Sequence, residues 1–244
     1  MKKTPIIILH GWSKTMSGGR FHEIKGILES KGYSTYTPDL PGFGSNPLKK
    51  EELFFDDYVA FVEHYIADVL KKSKAKKVIL IGQSFGGRIA IRVTATYPGM
   101  IQQLVLTGAS GIPRPLPSLK KKVVFILTKI LKPIFLIPPF SIFYQVFRKL
   151  IYYSIGEMDY YKAGNLTQTF KNVYKVSIAE DLYKITVPTT LIWGEKDTFT
   201  PLADGKYMQE HISNSKLVVV PNAGHRLPYE NPQEFAQALL PFLE

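Results

Sequence analysis

The chain has 244 residues, 45% of them hydrophobic and 21% charged, which suffices for one domain with a full core and a modest insertion and excludes a second catalytic domain. The absence of cysteine excludes a disulfide framework and a thiolate metal site. With 31 basic against 20 acidic residues the formal charge is +11, so a nucleic acid or an anionic membrane surface has to be weighed as a partner.

In chain order, Met1-Lys2-Lys3 leads into the apolar run Ile6 to Leu9, which is too short for a signal-peptide core and is needed as a strand. A cytoplasmic protein is therefore expected. The first predicted strand, Pro5–Leu9, ends in His10-Gly11-Trp12. A helix from Phe21 to about Ser30 lines up Phe21, Ile24, Ile27 and Leu28, and a strand follows Gly32 at Tyr33–Tyr36. The next helix, roughly Phe54 to Lys72, carries Tyr58, Val62, Ile66 and Val69 at helical spacing. Further strands are predicted at Lys77–Ile81, Gln103–Thr107, Thr189–Trp193 and Leu217–Val220, with helical segments between them as parallel crossovers demand. The alternation predicts an α/β fold on a doubly wound, mainly parallel sheet of about six strands.

The most informative stretch runs from Lys77 to Ala90. An apolar run breaks at Gly82-Gln83-Ser84-Phe85-Gly86 and restarts with helical spacing that stops at Pro98. Ser84 thus falls on a strand-to-helix turn. A residue forced towards positive φ tolerates no Cβ pressing on it from either side, which accounts for Gly82 and Gly86. The geometry lifts the hydroxyl out of the backbone and leaves the Phe85 N–H, at the positive end of the helix, free for an oxyanion. Two later strands deliver further chemistry just past their ends: the Thr189 strand brings Asp197, and the Leu217 strand brings His225 after Gly224. In open α/β sheets the chemistry gathers at the carboxyl ends of the strands, so Ser84, Asp197 and His225 are expected in one region. Asp197 could instead cap the helix around Pro201 to Glu210, and Asp204 is a nearby alternative carboxylate. His22, His64 and His211 lie in helical segments and read as surface or packing residues.

The chain order Ser, Asp, His and these motifs resemble the α/β-hydrolase superfamily, in its small lidded branch of esterases, lipases and meta-cleavage-product hydrolases. The resemblance covers nearly the whole chain. It implies a second oxyanion N–H at Trp12, with His10 and Gly11 supporting that turn, and it relates Asp39-Leu-Pro-Gly-Phe-Gly44 to a family loop. One departure is visible: family members commonly carry an antiparallel hairpin before the His-Gly strand, which this chain reaches by residue 6. The resemblance also implies a helical lid after the fourth strand, dividing the chain into a core of residues 1–110 and 166–244 and a lid of 111–165.

That insertion holds much of the excess charge. Between Ile112 and Gly156 every charged residue is basic, from Arg114 and Lys120-Lys121-Lys122 to Lys129, Lys132, Arg148 and Lys149, among many Phe, Ile, Leu and Tyr. The apolar run from Val123 to Ile137 is interrupted by two lysines and a proline before it reaches the ~18 residues a membrane span requires. Two readings stand: an amphipathic lid lying on an anionic membrane surface, or a lid whose apolar face roofs the pocket while its lysines keep it soluble. No nucleic-acid module is present. The expected activity is hydrolysis of a carboxylic ester with an apolar part, without metal or organic cofactor. Thioester hydrolysis, carbon–carbon bond hydrolysis and acyl transfer share the apparatus, and a non-catalytic ligand-binding or membrane-surface protein is the alternative of another class. The oligomeric state is not encoded in these motifs.

Overall fold

The computed structural model describes residues 3–13, 15–48, 50–112, 126, 128–134, 137–138, 140–154 and 163–243. All six predicted strands are present: β1 (Ile6–Leu9), β2 (Thr35–Tyr36), β3 (Val78–Gln83), β4 (Ile101–Thr107), β5 (Thr189–Gly194) and β6 (Ser215–Val220). They form one sheet in the order β2-β1-β3-β4-β5-β6, with every pairing parallel. The chain moves outward from β1 to β2, returns to place β3 on the other side of β1, and then proceeds to β6. The β1/β3 boundary is therefore the switch point, outside whose carboxyl ends a crevice opens.

The principal helices are α1 (His22–Ser30), α2 (Phe55–Ser73), α3 (Phe85–Thr96), α4 (Tyr144–Ser154), α5 (Thr167–Tyr174), α6 (Leu202–His211) and α7 (Pro232–Leu239). Successive strand residues point to opposite faces. Ile6 and Ile8 accordingly pack with Ile24 and Leu28 of α1 and Phe235 of α7, while Ile7 and Leu9 join Tyr58 and Val62 of α2 and Ile89 of α3 on the other face. Each such aliphatic side chain contributes about 1.5–3 kcal/mol on full burial, and the continuous apolar sequence of β1 follows from having both faces covered.

The edges differ from the sequence reading. The strand expected over Tyr33–Tyr36 shrinks to two paired residues at this edge of the sheet, and so short an edge presents little unpaired backbone. At the other edge, Val220 is the buried residue of β6 and the rest are half-buried or exposed, whereas β5, one strand inward, is buried throughout.

Of the segment between β4 and β5, Arg114 and Lys120 to Lys122 lie outside the described residues. The described part includes α4 and the turn before it, Phe140–Phe143. They leave Ile142 (77%), Leu150 (62%) and Tyr153 (75%) exposed to solvent. No helix among the described residues is long and apolar enough to cross a membrane.

Candidate active site

Ser84 stands between the end of β3 and the start of α3 with φ 53° and ψ −113°. A non-glycine residue held there stores about 1–3 kcal/mol of strain, which persists only if its surroundings enforce it. The enforcement is visible in the backbone. The Ser84 N–H donates to Thr107 O of β4 at 3.1 Å, and the Ser84 carbonyl accepts from both Arg88 and Ser110 at the same distance. Gly82 and Gly86 press on each other, since a Cβ on Gly82 would stand 2.7 Å from Gly86 O. A Cβ on Gly86 would enter the Leu9 carbonyl and lie 2.7 Å from His10 O, so this glycine also lets α3 start against the end of β1.

The turn after β1 meets Ser84 by the same device. A Cβ on Gly11 would stand 3.0 Å from Ser84 Cβ. His10, fully buried, organises this turn. The Leu40 N–H donates to His10 Nε2 at 3.0 Å, so the ring proton sits on Nδ1 and is donated to Gly11 O at 2.8 Å. Burial lowers the His10 pKa to about 4, against the opposing influence of the Gly11 carbonyl and Asp39, and keeps the ring neutral. With the Gly11 carbonyl held by His10, the Trp12 N–H of the same trans peptide points the opposite way. Asp39 fixes the loop that supplies Leu40: its carboxylate accepts from Gly18 N at 2.7 Å and from Ser45 N and Oγ at 2.8 Å.

On the far side, β5 and β6 bring the acid and the histidine together. A Cβ on Gly194 would stand 2.5 Å from the carbonyls of Ala223 and Gly224, so the strand end and the histidine turn meet backbone to backbone. His225 Nδ1 lies 2.8 Å from Asp197 Oδ2. The Asp197 Oδ1 atom accepts from the amides of Phe199 and Thr200, both at 2.9 Å. Asp197 thus closes its own turn with one oxygen and faces the histidine with the other, and it does not cap α6. Burial would raise the Asp197 pKa, but hydrogen bonds from His225 and Thr200, together with the His225 charge, hold it below the usual carboxylate range. Asp204 is not the residue paired with His225.

Two contributors escaped the sequence reading. Thr200 Oγ1 donates to Asp197 Oδ2 at 2.8 Å and lies 3.0 Å from His225 Nδ1; the signal was a threonine three residues after the acid, where an Asx-type turn closes. Gly108, at φ +51° past β4, leaves room for the pair: a Cβ there would meet His225 Nδ1 at 2.9 Å and Asp197 Oδ2 at 3.1 Å. His22 and His64 are exposed, and His211 stacks on Tyr207, consistent with surface and packing positions.

Ser84 and His225 line one cleft of about 270 Å³ with Gly11, Trp12, Gln83, Phe199 and Tyr229. Among the described residues, Ser13, Thr15, Arg20 and Arg226 also face it and give that part of the wall a polar character. Phe85 is not among these lining residues; its ring is buried against Trp12 and Tyr58, centroids 5.2 and 5.0 Å away.

A strained serine on a strand–turn–helix, with an Asp–His pair delivered by later strands of the same parallel sheet, is an arrangement of recognisable lineage. The family model described as serine aminopeptidase, S33, matches residues 2–232. The chain is an α/β-hydrolase of this family. Over 98% of its length the hydrolase is 26% identical to the 2-hydroxy-6-oxononadienedioate/2-hydroxy-6-oxononatrienedioate hydrolase of a Pseudomonas species, spanning 87% of that relative. It is also 26% identical to monoacylglycerol lipase ABHD6 of Mus musculus, over 99% of this chain and 76% of the relative. Among solved structures it is similar to MGS-MChE2, an α/β hydrolase enzyme from a sediment metagenome of the lagoon of Mar Chica, Morocco. That similarity has a TM-score of 0.67 and 25% identity, covering 98% of this chain and 90% of the other.

Proposed function

We propose that the hydrolase cleaves carboxylic esters through Ser84, His225 and Asp197. The observation that carries this reading is the 2.8 Å pairing of His225 Nδ1 with Asp197 Oδ2 in a cleft that His225 shares with a serine held at positive φ. With Nδ1 engaged by the carboxylate, Nε2 is the nitrogen left to take a proton. Ser84 Oγ bonds to the acyl carbon as its proton passes to His225 Nε2, and the carbonyl electrons move onto the oxygen, to which the N–H groups of Trp12 and Phe85 donate hydrogen bonds. Collapse breaks the bond to the alcohol, which leaves with the proton from Nε2. Water then repeats the sequence on the acyl-enzyme, giving up its proton to His225 and releasing the acid. Asp197 stabilises the imidazolium formed in both halves, and His10, Gly11, Gly82 and Gly86 hold the backbone that aims the donors. Each oxyanion donor is typically worth roughly 3–4 kcal/mol in the transition state.

Residues 111–165 act in this reading as a lid, and its basic, apolar surface rests on anionic membrane. The exposed Ile142, Leu150 and Tyr153 support that contact, together with the exposed Lys149.

The test of the chemistry is turnover of a p-nitrophenyl ester series by the wild type and Ser84→Ala, with a fluorophosphonate as titrant. The expected result is turnover and labelling by the wild type, both abolished in the variant. Labelling without ester turnover would move the reading to a thioester or carbon–carbon substrate, and turnover that survives in Ser84→Ala would remove the mechanism.

A further inference from the structure

Arg88 lies one helical turn beyond Ser84 on α3 and has no part in the chemistry above. Its side chain is 3% exposed, yet its Nε has no hydrogen-bond partner, and no carboxylate among the described residues pairs with it. A buried guanidinium without an acceptor is an arrangement that folds rarely keep unless it serves a ligand. What Arg88 does touch is aromatic: its Cζ is 5.2 Å from the centre of the Tyr174 ring and 5.5 Å from that of Phe55. Ring faces attract the cation but offer it no hydrogen-bond acceptor of carboxylate strength. The neighbouring cation, Arg92, is already committed to Asp181, with Asp56 at 3.7 Å.

A second orphan belongs to the neighbouring backbone. The Ser110 hydroxyl oxygen is buried and without a partner. The amides of Arg88 and Ser110 share the Ser84 carbonyl, so the backbone of Ser110 and Gly111 runs beside the arginine. Gly111, at φ +109°, has no side chain where a Cβ would stand 3.3 Å from Arg88 Cγ and 3.4 Å from Nε. Space for the guanidinium is thereby kept.

The position fits the acyl side of the reaction. The leaving alcohol must take its proton from His225, which places it in the cleft with Phe199 and Arg226. Arg88 instead faces Tyr174, whose ring is stacked on Phe85 at 6.4 Å, next to Ser84. We infer that Arg88, with Ser110, recognises a carboxylate at the far end of the acyl group, making half-esters of dicarboxylic acids the preferred substrate class. This rests on the ester-hydrolase reading. A carboxylate matches the planar fork of a single uncommitted arginine, whereas a phosphate dianion calls for a second free cation.

The experiment compares p-nitrophenyl half-esters of C5 to C8 dicarboxylic acids with p-nitrophenyl esters of monocarboxylic acids of equal length, in the wild type and Arg88→Met. The wild type is expected to favour the half-ester by about tenfold or more in kcat/KM, and the variant to bring that ratio close to one. Equal rates on the two series by the wild type, or a ratio unchanged in Arg88→Met, overturn the inference. Melting temperatures supply a readout independent of turnover. Arg88→Met removes an unpaired buried charge and is expected to melt no lower than the wild type, while monomethyl adipate raises the melting point of the wild type alone. If neither ester series is turned over, the ester reading fails by itself, and the effect of monomethyl adipate still decides: stabilisation of the wild type and not of the variant upholds the carboxylate site, and any other pattern overturns it.

Discussion

His10 is an imidazole whose two nitrogens are both spoken for, one accepting from Leu40 and the other donating to Gly11. Burial penalises the charged ring, and protonation would also destroy the first of these bonds, which is why its pKa falls from 6.5 to about 4. Between those values the unfolded chain binds a proton that the native state refuses, so stability rises with pH across this window and is lost as pH falls through it. The difference corresponds to about 3 kcal/mol. Asp39 and Asp197 act in a lower window: their native pKa values are depressed, so their contribution is present above the unfolded carboxylate range and disappears only as pH falls through the lower native values. Urea unfolding at pH 7, 5.5 and 4.5 should show a steep loss for the wild type and a flatter one for His10→Gln. Parallel slopes would mean that another group carries the dependence. At this scale the sequence was readable where a residue type is rare in its context, as with Ser84, Asp197 and His225. Thr200 was not, because a threonine three residues after an acid also closes ordinary turns.

Glycines separate the elements that tolerate change from those that do not. Gly26 lies inside α1, exposed, with nothing within 4 Å of the Cβ it lacks, so it costs helix stability without serving a contact. Gly26→Ala is expected to stabilise the protein by about 1 kcal/mol and raise its melting temperature by roughly 2–4 °C. The same change at Gly86 drives a methyl group into the backbone of β1 and should lower the melting temperature sharply. Calorimetry of the two variants measures both; equal effects would mean that the α3–β1 approach is not tight. Gly82 and Gly86 announced themselves by bracketing a serine. Gly11 stood out only through the His-Gly turn of the resemblance, and Gly108 and Gly194 did not stand out at all, since each is required by an element distant in sequence: the Asp197–His225 pair and the turn at Ala223.

Across the whole molecule, a parallel sheet buried on both faces ends in a polar cleft, while the segment between β4 and β5 carries exposed apolar side chains beside lysines. If that surface meets lipid, Ile142→Ser with Leu150→Ser should weaken binding to anionic vesicles several-fold at low salt without changing turnover of a soluble ester, and added salt should weaken binding of the wild type. Vesicle binding unaffected by both would remove the membrane contact. The sequence by itself determined the six strands, their parallel arrangement and the strand ends from which Ser84, Asp197 and His225 project, because apolar runs, glycine-broken turns and helical periodicity are local signals set by neighbours in the chain. Only the tertiary structure decided that Thr200 joins the Asp–His pair, that Gly108 makes room for it and that the buried Arg88 Nε has no acceptor among the described residues. Those facts depend on which distant backbones meet, and a contact between residues far apart in the chain leaves no mark on the spacing of either one.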